Sequence, residues 1–165
     1  MSEAERISVP GTAGIPNHPR WPALILRGAA PGGSDAIRAR FAGNGWVGLW
    51  DWTIYDIQHW HPESHEALGV SAGHARVQIG GPEGPVAEVA AGDVIVLPAG
   101  TGHCLLSSSD DFGVVGAYPP GQAAPEALRD DPDAAQAAQP RIAAVPPPQT
   151  DPVHGASGPV TELWT

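Results

Sequence analysis

The sequence has a single cysteine, Cys104, and no lysine among its 165 residues. One cysteine excludes an internal disulfide framework and excludes zinc-finger spacings, because both need several cysteines. The chain also has no apolar run long enough to span a bilayer, and residues 1–6 lack the apolar core of a signal peptide. We therefore expect a cytoplasmic protein that does not enter the membrane.

Positive charge is scarce as well. Eight basic residues face eighteen acidic ones, and the formal net charge is −10. Phosphate backbones and anionic membrane surfaces repel a chain of this charge. We expect neither nucleic acid nor a membrane surface as a partner.

What the chain does contain favours an all-β fold. Glycine (21 residues) and proline (19 residues) are abundant, and 42% of the residues are hydrophobic, which suits short strands joined by turns. The length predicts one domain over residues 1–165. Short apolar or alternating segments predict strands at residues 23–26, 53–61, 66–72, 75–79, 86–89, 94–97 and 112–118, with another opened by His103. Strands this short and this evenly spaced indicate an antiparallel sandwich or barrel.

The two ends of the chain differ from the middle. Residues 1–45 predict a lead-in with an edge strand near Ile7 and a short helix from Asp35 to about Ala42, capped by Ser34. Residues 46–118 form the predicted barrel core. Residues 119–165 are rich in proline and alanine, with helical turns predicted at 126–129 and at 134–145, the second interrupted by Pro140. Because the chain ends on an apolar Leu-Trp pair, we expect this C-terminal arm to pack on the barrel.

The candidate functional residues cluster between positions 59 and 103. His59 and His61 are two apart, so on a strand both imidazoles leave the same face, which they share with Tyr55. Glu66 follows across a turn, and His103 is the candidate for a fourth ligand. Three imidazoles and a carboxylate form a metal-binding set.

Other interpretations of these histidines exist. Any one of them, taken alone, is more often a surface histidine or a hydrogen-bonded core histidine. His61 and His65 are four apart and would share a helix face, but Pro62 disfavours a helix at His61. His65 points away from Glu66 on a strand, so we predict a position behind the ligands or at the rim, with replacement of His59 as ligand the minor alternative. Tyr55 and Leu68 are predicted to line the lumen, although Leu68 also suits a plain core position.

The histidine segment resembles the first conserved motif of the cupin superfamily. That motif has the form G(x)5HxH(x)3-4E(x)6G, and the matching residues here are His59, His61, Glu66 and Gly73. Residues 92–107 resemble the second cupin motif, G(x)5PxG(x)2H(x)3N, through Gly92, Pro98, Gly100 and His103. Thr53 and Ser107 replace the first glycine and the last asparagine of the two patterns. Further segments, including residues 61–70 and 114–122, resemble the small bacterial YjlB-like branch of cupins.

The resemblance implies a double-stranded β-helix, that is, a jelly-roll barrel, with His59, His61, Glu66 and His103 around a divalent metal ion. Four such ligands leave two octahedral positions open, which suits Fe(II), Mn(II) or Ni(II), and Zn(II) also accepts these donors. We predict a metal-dependent enzyme that acts on a small molecule, most plausibly a dioxygenase. The alternatives are a metal-dependent isomerase and a cupin that binds a metal or small ligand without catalysis. By analogy with other cupin barrels, we expect a homodimer.

Overall fold

The computed structural model describes residues 3–122 and 126–165. In these ranges the chain forms eleven strands and three helices. The strands are β1 (Glu5–Ile7), β2 (Ala23–Leu26), β3 (Val47–Trp52), β4 (His59–Trp60), β5 (Glu66–Ala72), β6 (His74–Ile79), β7 (Val86–Ala90), β8 (Val94–Leu97), β9 (His103–Ser108), β10 (Gly113–Tyr118) and β11 (Leu128–Arg129). The helices are α1 (Ser34–Gly43), α2 (Pro132–Ala144) and α3 (Pro159–Leu163).

The strands form two antiparallel sheets. One sheet has six strands in the order β1-β2-β8-β5-β10-β3, and the other has five in the order β11-β4-β9-β6-β7. This arrangement confirms the predicted all-β jelly-roll fold. Because β1 and β2 belong to the six-stranded sheet, the sheet extends into the N-terminal segment, beyond the predicted core of residues 46–118.

Apolar side chains fill the space between the sheets. Ile25, Leu68 and Ile95 reach it from the six-stranded sheet, and Val77 and Val89 reach it from the five-stranded sheet. Strand β7 alternates between exposed and buried positions, as expected for a strand with one face in water. All four residues of β8 are buried, which confirms the prediction that this apolar run is covered on both faces.

Helix α1 covers the outer face of the six-stranded sheet. Its two buried side chains, Ile37 and Phe41, pack over Gly69 of β5. A Cβ atom on Gly69 would lie 2.6 Å from a methyl carbon of Ile37, so the missing side chain is what lets the helix approach the sheet. The predicted cap is wrong: Gly33 occupies the N-cap position, and the hydroxyl of Ser34 instead bonds to Asp51.

The C-terminal arm packs on the barrel, as predicted. Ile142 of α2 is fully buried with Trp60, and Trp164 is buried in the cluster that covers the outer face of the six-stranded sheet. Helix α2 continues through Pro140 instead of being interrupted there. The helical turn predicted at residues 126–129 is wrong, because Leu128 and Arg129 pair with β4 as a short strand.

The single strand predicted over residues 53–61 is also wrong. Strand β3 ends at Trp52 in the six-stranded sheet, and β4 begins at His59 in the five-stranded sheet. The intervening residues carry the chain from one sheet to the other, so they cannot follow one hydrogen-bonded ladder.

Among the described residues, none of the helices has the length and apolar character needed to cross a bilayer.

Candidate metal centre

Three histidines meet at one end of the space between the sheets. His59 of β4 and His103 of β9 are direct cross-strand partners, and His61 follows β4 immediately. One ring nitrogen from each histidine lies within 4.8 Å of the other two, and all three side chains are buried. The chain therefore has three buried histidines close enough to hold one metal ion.

Glu66 approaches this cluster from the opposite sheet. It opens β5, where it pairs with Leu97, and its side chain is 4% exposed. Its Oε1 atom lies 3.2 Å from Nε2 of His103 and 3.5 Å from Nε2 of His61. The four side chains predicted from the sequence thus converge, with the carboxylate facing two of the three imidazoles.

Backbone carbonyls set the orientation of each imidazole. Nδ1 lies 2.7 Å from the Ile57 oxygen in His59, 3.0 Å from the Glu126 oxygen in His61, and 3.1 Å from the Thr101 oxygen in His103. A carbonyl oxygen only accepts, so each Nδ1 must carry the proton and donate it. Each Nε2 then keeps its lone pair, which is the form in which a histidine binds a metal.

The contact between His103 and Glu66 suits a bound cation. Nε2 of His103 is buried and has no hydrogen-bond partner among the described residues, although Oε1 of Glu66 is 3.2 Å away. With its proton on Nδ1, this nitrogen presents a lone pair to a carboxylate oxygen, and two electron-pair donors repel unless a cation lies between them. Donors about 2.1 Å from one ion and at right angles to each other lie about 3.0 Å apart, so these distances fit a metal ion.

The charge states of His59 and Glu66 agree with this arrangement, whereas the carboxylate favours the protonated form of His61 when no metal ion is bound. Burial, reinforced by the neighbouring His103, lowers the pKa of His59 to about 3, so its imidazole is neutral at pH 7. Burial opposes charge on His61, but the Glu66 carboxylate outweighs it and raises the pKa of His61. Burial would likewise raise the pKa of Glu66, yet His61 and His103 hold it well below its usual range. Glu66 therefore stays ionised.

A loop glycine helps to place the cluster. The Gly100 N–H donates to the carbonyl oxygen of His61, 2.8 Å away, which ties the residue after β4 to the loop before β9. Gly100 has a φ of +83°, and a Cβ there would lie 2.7 Å from Cδ1 of Ile142. Both the backbone angle and the close approach require glycine at this position.

The cluster lies at the base of a cavity of about 280 Å³. The cavity is bounded by residues of both sheets and of the segment between them. These are Trp50, Trp52, Thr53, Ile54, Tyr55, His59, His61, Glu66, Leu68, His103, Tyr118 and Ala127. Tyr55 and Leu68 thus line the cavity, as expected, although Tyr55 lies in the crossing segment and is 53% exposed.

Tyr118 is a cavity residue that the sequence did not reveal. Its hydroxyl accepts a hydrogen bond of 2.8 Å from Nε1 of Trp50, and both side chains line the cavity beside Glu66. Burial, with the nearby Glu66 carboxylate, raises the pKa of Tyr118, so the phenol stays protonated. Gly116 leaves the space for Trp50, because a Cβ there would lie 2.1 Å from the indole ring.

Of the two positions predicted for His65, behind the ligands or at the rim, the rim is wrong. The side chain is fully buried, in ring contact with Trp21 and Trp164. Its Nδ1 accepts from the Ala99 N–H and its Nε2 donates to the Pro146 oxygen, each over 2.9 Å. The alternative in which His65 replaces His59 fails as well, since His59 is the histidine that joins the cluster. His65 instead joins the barrel to the C-terminal arm.

A second, larger depression of about 520 Å³ shares none of these residues. It is lined partly by Arg27 and Asp93, whose side chains form an ion pair of 3.2 Å, and Arg27 also pairs with Glu5. Arg27 and Asp93 therefore satisfy each other. We place the functional site at the histidine cluster.

Comparison with known proteins agrees with the fold and the cluster. A family profile described as "Cupin domain" matches residues 53–115. The uncharacterized protein YjlB of Bacillus subtilis (strain 168) is 34% identical over 164 residues, which cover 98% of this chain and 97% of YjlB.

Solved structures are more distant. An uncharacterized protein with a double-stranded β-helix domain from Klebsiella pneumoniae is 16% identical, with a TM-score of 0.38, over 79% of this chain and 80% of that one. The DMSP lyase DddQ from Ruegeria pomeroyi is also 16% identical, with a TM-score of 0.39, over 66% of this chain. The match spans only 42% of the lyase's length. The 34% identity to YjlB over nearly the whole of both chains, together with the cupin-domain match, shows that this chain belongs to the cupin superfamily, in its small YjlB-like branch.

Proposed function

We propose that this protein is a metal-dependent dioxygenase of a small molecule, with His59, His61, Glu66 and His103 as the ligands of a divalent ion. The observation that supports the ligand set is the unpartnered Nε2 of His103, which faces the Glu66 carboxylate at 3.2 Å. The shared orientation of the three imidazoles, each with Nδ1 on a backbone carbonyl, supports it further. Fe(II), Mn(II) or Ni(II) is the favoured ion, and Zn(II) suits the same donors.

The donor set and the cavity suit oxygen chemistry. His59, His61, Glu66 and His103 would hold the divalent ion, and the bound ion would supply activation of O2 and of a substrate oxygen. Apolar and aromatic side chains such as Trp50, Ile54 and Leu68 line much of the cavity, which lowers the polarity around the reacting groups.

The cavity walls favour a dioxygenase over an isomerase. An isomerase moves a proton between substrate atoms and needs a positioned base that is free to accept it. In the part of the chain that the structure describes, each carboxylate and imidazole of the cavity wall belongs to the proposed ligand set. The remaining titratable wall groups are the two phenols, Tyr55 and Tyr118, which are weak bases.

Oxygen consumption tests the proposal. The protein is stripped of metal and reconstituted anaerobically with Fe(II), Mn(II), Ni(II) or Zn(II). It is then exposed to O2 with a panel of small metabolites. We expect O2 uptake, with substrate conversion, for the Fe(II) or Mn(II) protein and none for His103→Ala. The control is His74→Ala, which removes an exposed histidine outside the cluster. If no metal and no substrate gives turnover while a ligand still binds, the protein is a binding module and the proposal is refuted.

A further inference from the structure

The cavity above the histidine cluster is small. A volume of about 280 Å³ lies at the lower edge of the range for ligand pockets. It corresponds to about nine waters at roughly 30 Å³ each. The ligand therefore has on the order of ten non-hydrogen atoms, fewer than a nucleotide or a drug-sized molecule.

The cavity wall has no basic side chain besides the three histidines of the cluster. Arginine is absent from its described lining, the chain has no lysine, and residues 1, 2 and 123–125 contain no basic side chain either. Arg129 does not line the cavity itself but an adjoining groove of about 240 Å³, which shares Tyr55, His59 and Ala127 with the cavity. A metal ion in the histidine cluster would partner one anionic group, but a second anionic group in the cavity would be desolvated without a partner, which is costly.

Aromatic and apolar surfaces form the rest of the wall. Trp52 and Tyr55 stand edge-to-face with ring centroids 5.2 Å apart, and Tyr55 stands edge-to-face with His59 at 5.3 Å. Trp52 is 59% exposed at the mouth. Leu68 and Ile54 complete an apolar side. Flat faces of this kind bind a flat, apolar ligand body by stacking and by burial of apolar area.

One hydroxyl in the wall is already oriented to donate. Nε1 of Trp50 donates to the Tyr118 oxygen at 2.8 Å, so one lone pair of that oxygen is occupied, and the phenol proton is directed towards the Glu66 side of the cavity. Tyr118 lies in the cavity wall with Glu66 and His61. A ligand oxygen held beside these residues can accept a hydrogen bond from this hydroxyl.

We propose that the cavity selects a small molecule with at most one anionic group, a flat apolar body and an oxygen group at one end. We further propose that Tyr118 positions this oxygen by donating a hydrogen bond to it. Compounds with two separate anionic groups, such as dicarboxylates, are excluded. The inference rests on the proposed metal-dependent function, because the oxygen group is also the part that would meet the metal ligands.

Ligand binding to the Zn(II)-loaded protein tests the inference, because Zn(II) has no redox chemistry that would consume the probe. The probes are catechol, benzene-1,2-dicarboxylate and toluene. Binding of each probe is measured by titration calorimetry and by quenching of tryptophan fluorescence. Catechol and the dicarboxylate are both flat, but only the second is a dianion. We expect catechol to bind at least tenfold more tightly than the dicarboxylate.

Variants test the role of Tyr118. Tyr118→Phe keeps the ring, and it should weaken catechol binding about 2- to 12-fold, as expected for one net hydrogen bond. It should leave toluene binding and zinc content unchanged, whereas a merely structural loss would weaken both ligands. Ser108→Ala, which deletes an exposed hydroxyl outside the cavity, should change neither.

Three results would overturn the inference. The first is tighter binding of the dicarboxylate than of catechol, above all if Arg129→Ala abolishes it. The second is equal catechol affinity in wild type and Tyr118→Phe, which would remove the role assigned to the hydroxyl. The third is a wild-type protein that holds no zinc. Metal analysis detects this last result separately, and it would overturn the proposed function and the inference together.

Discussion

Replacement of Trp164 by alanine tests how firmly the C-terminal arm is bound to the barrel. Trp164 is 1% exposed although it is the penultimate residue. Its indole stacks on Trp21 with centroids 5.8 Å apart and contacts His65 at 5.1 Å. Its Nε1 donates to the Pro22 oxygen over 2.9 Å. The substitution therefore removes a buried aromatic body, two ring contacts and a hydrogen bond.

The expected loss follows from these contacts. A fully buried tryptophan covers about 150–250 Å², which at about 25 cal/mol per Å² is worth about 4–6 kcal/mol as an upper bound. Measured Trp→Ala substitutions in cores cost about 3–5 kcal/mol. We expect the free energy of unfolding to fall by about 4 kcal/mol, which for a chain of this size corresponds to about 8–16 °C in the melting temperature.

Urea unfolding at pH 7.5, followed by circular dichroism, measures this loss. Trp52→Ala is the matched control, because Trp52 is the same residue type but is 59% exposed, and its free energy of unfolding should change by less than about 1 kcal/mol. Metal content should be unchanged in Trp164→Ala, since the indole touches none of the proposed ligands. A loss below about 1 kcal/mol for Trp164→Ala would show that the arm does not depend on this docking, and the reasoning would be refuted.

Two further predictions concern pH and packing. Burial lowers the pKa of both His18 and His65 to about 4. Because the unfolded chain takes up these protons near pH 6.5, the free energy of unfolding should fall as the pH drops from 6.5 towards 4, by on the order of 2 kcal/mol for His65 at pH 5. Urea titrations at pH 7.5 and pH 5 measure it, and equal stability at both would contradict the burial argument. Gly116→Ala places a methyl group against the Trp50 indole and should cost about 1–3 kcal/mol. Gly43→Ala lies in helix α1 with no atom within 4 Å of the added methyl group, so it should be neutral or stabilising. Urea titrations at pH 7.5 measure both variants, and equal effects of Gly116→Ala and Gly43→Ala would contradict the packing argument.

The convergence of the four proposed ligands could be predicted from the sequence, because three of them lie within a few residues of one another along the chain. His59 and His61 are two apart, and Pro62 ends the extended segment beside them. Glu66 lies just beyond the turn, at the first residue of β5. His103 needed the second spaced pattern, since only the pairing of β4 with β9 brings it to His59.

Tyr118 was not accessible in the same way. Its place in the cavity follows from the pairing of β10 with β5, in which Gly116 lies opposite Leu68. Tyr118 is two residues beyond Gly116 on the strand and so lies on the same face. This pairing joins segments about fifty residues apart, and no local pattern specifies which strand lies beside which. The backbone carbonyls that orient the three imidazoles depend on the fold in the same way.

The wrong secondary-structure predictions have a common cause. Residues 53–58 alternate like a strand, yet they carry the chain between sheets, and only the fold reveals that crossing. Leu128 and Arg129 follow a helix-forming glutamate but become a strand because β4 offers them an edge. Pro140 is tolerated inside α2, where Ile142 and Ala138 anchor the helix on the barrel. In each case tertiary contacts outweigh the local preference.

Metal analysis of the purified protein tests the central claim most directly. Wild type and His74→Ala, whose histidine is exposed and outside the cluster, should each hold about one divalent ion per chain after loading and gel filtration. His61→Ala and His103→Ala each remove one of four proposed ligands, so their affinity should fall by more than the roughly 10–100-fold typical of changes behind the ligands. Equal metal content in all four proteins would contradict the assignment of His59, His61, Glu66 and His103 as a metal centre.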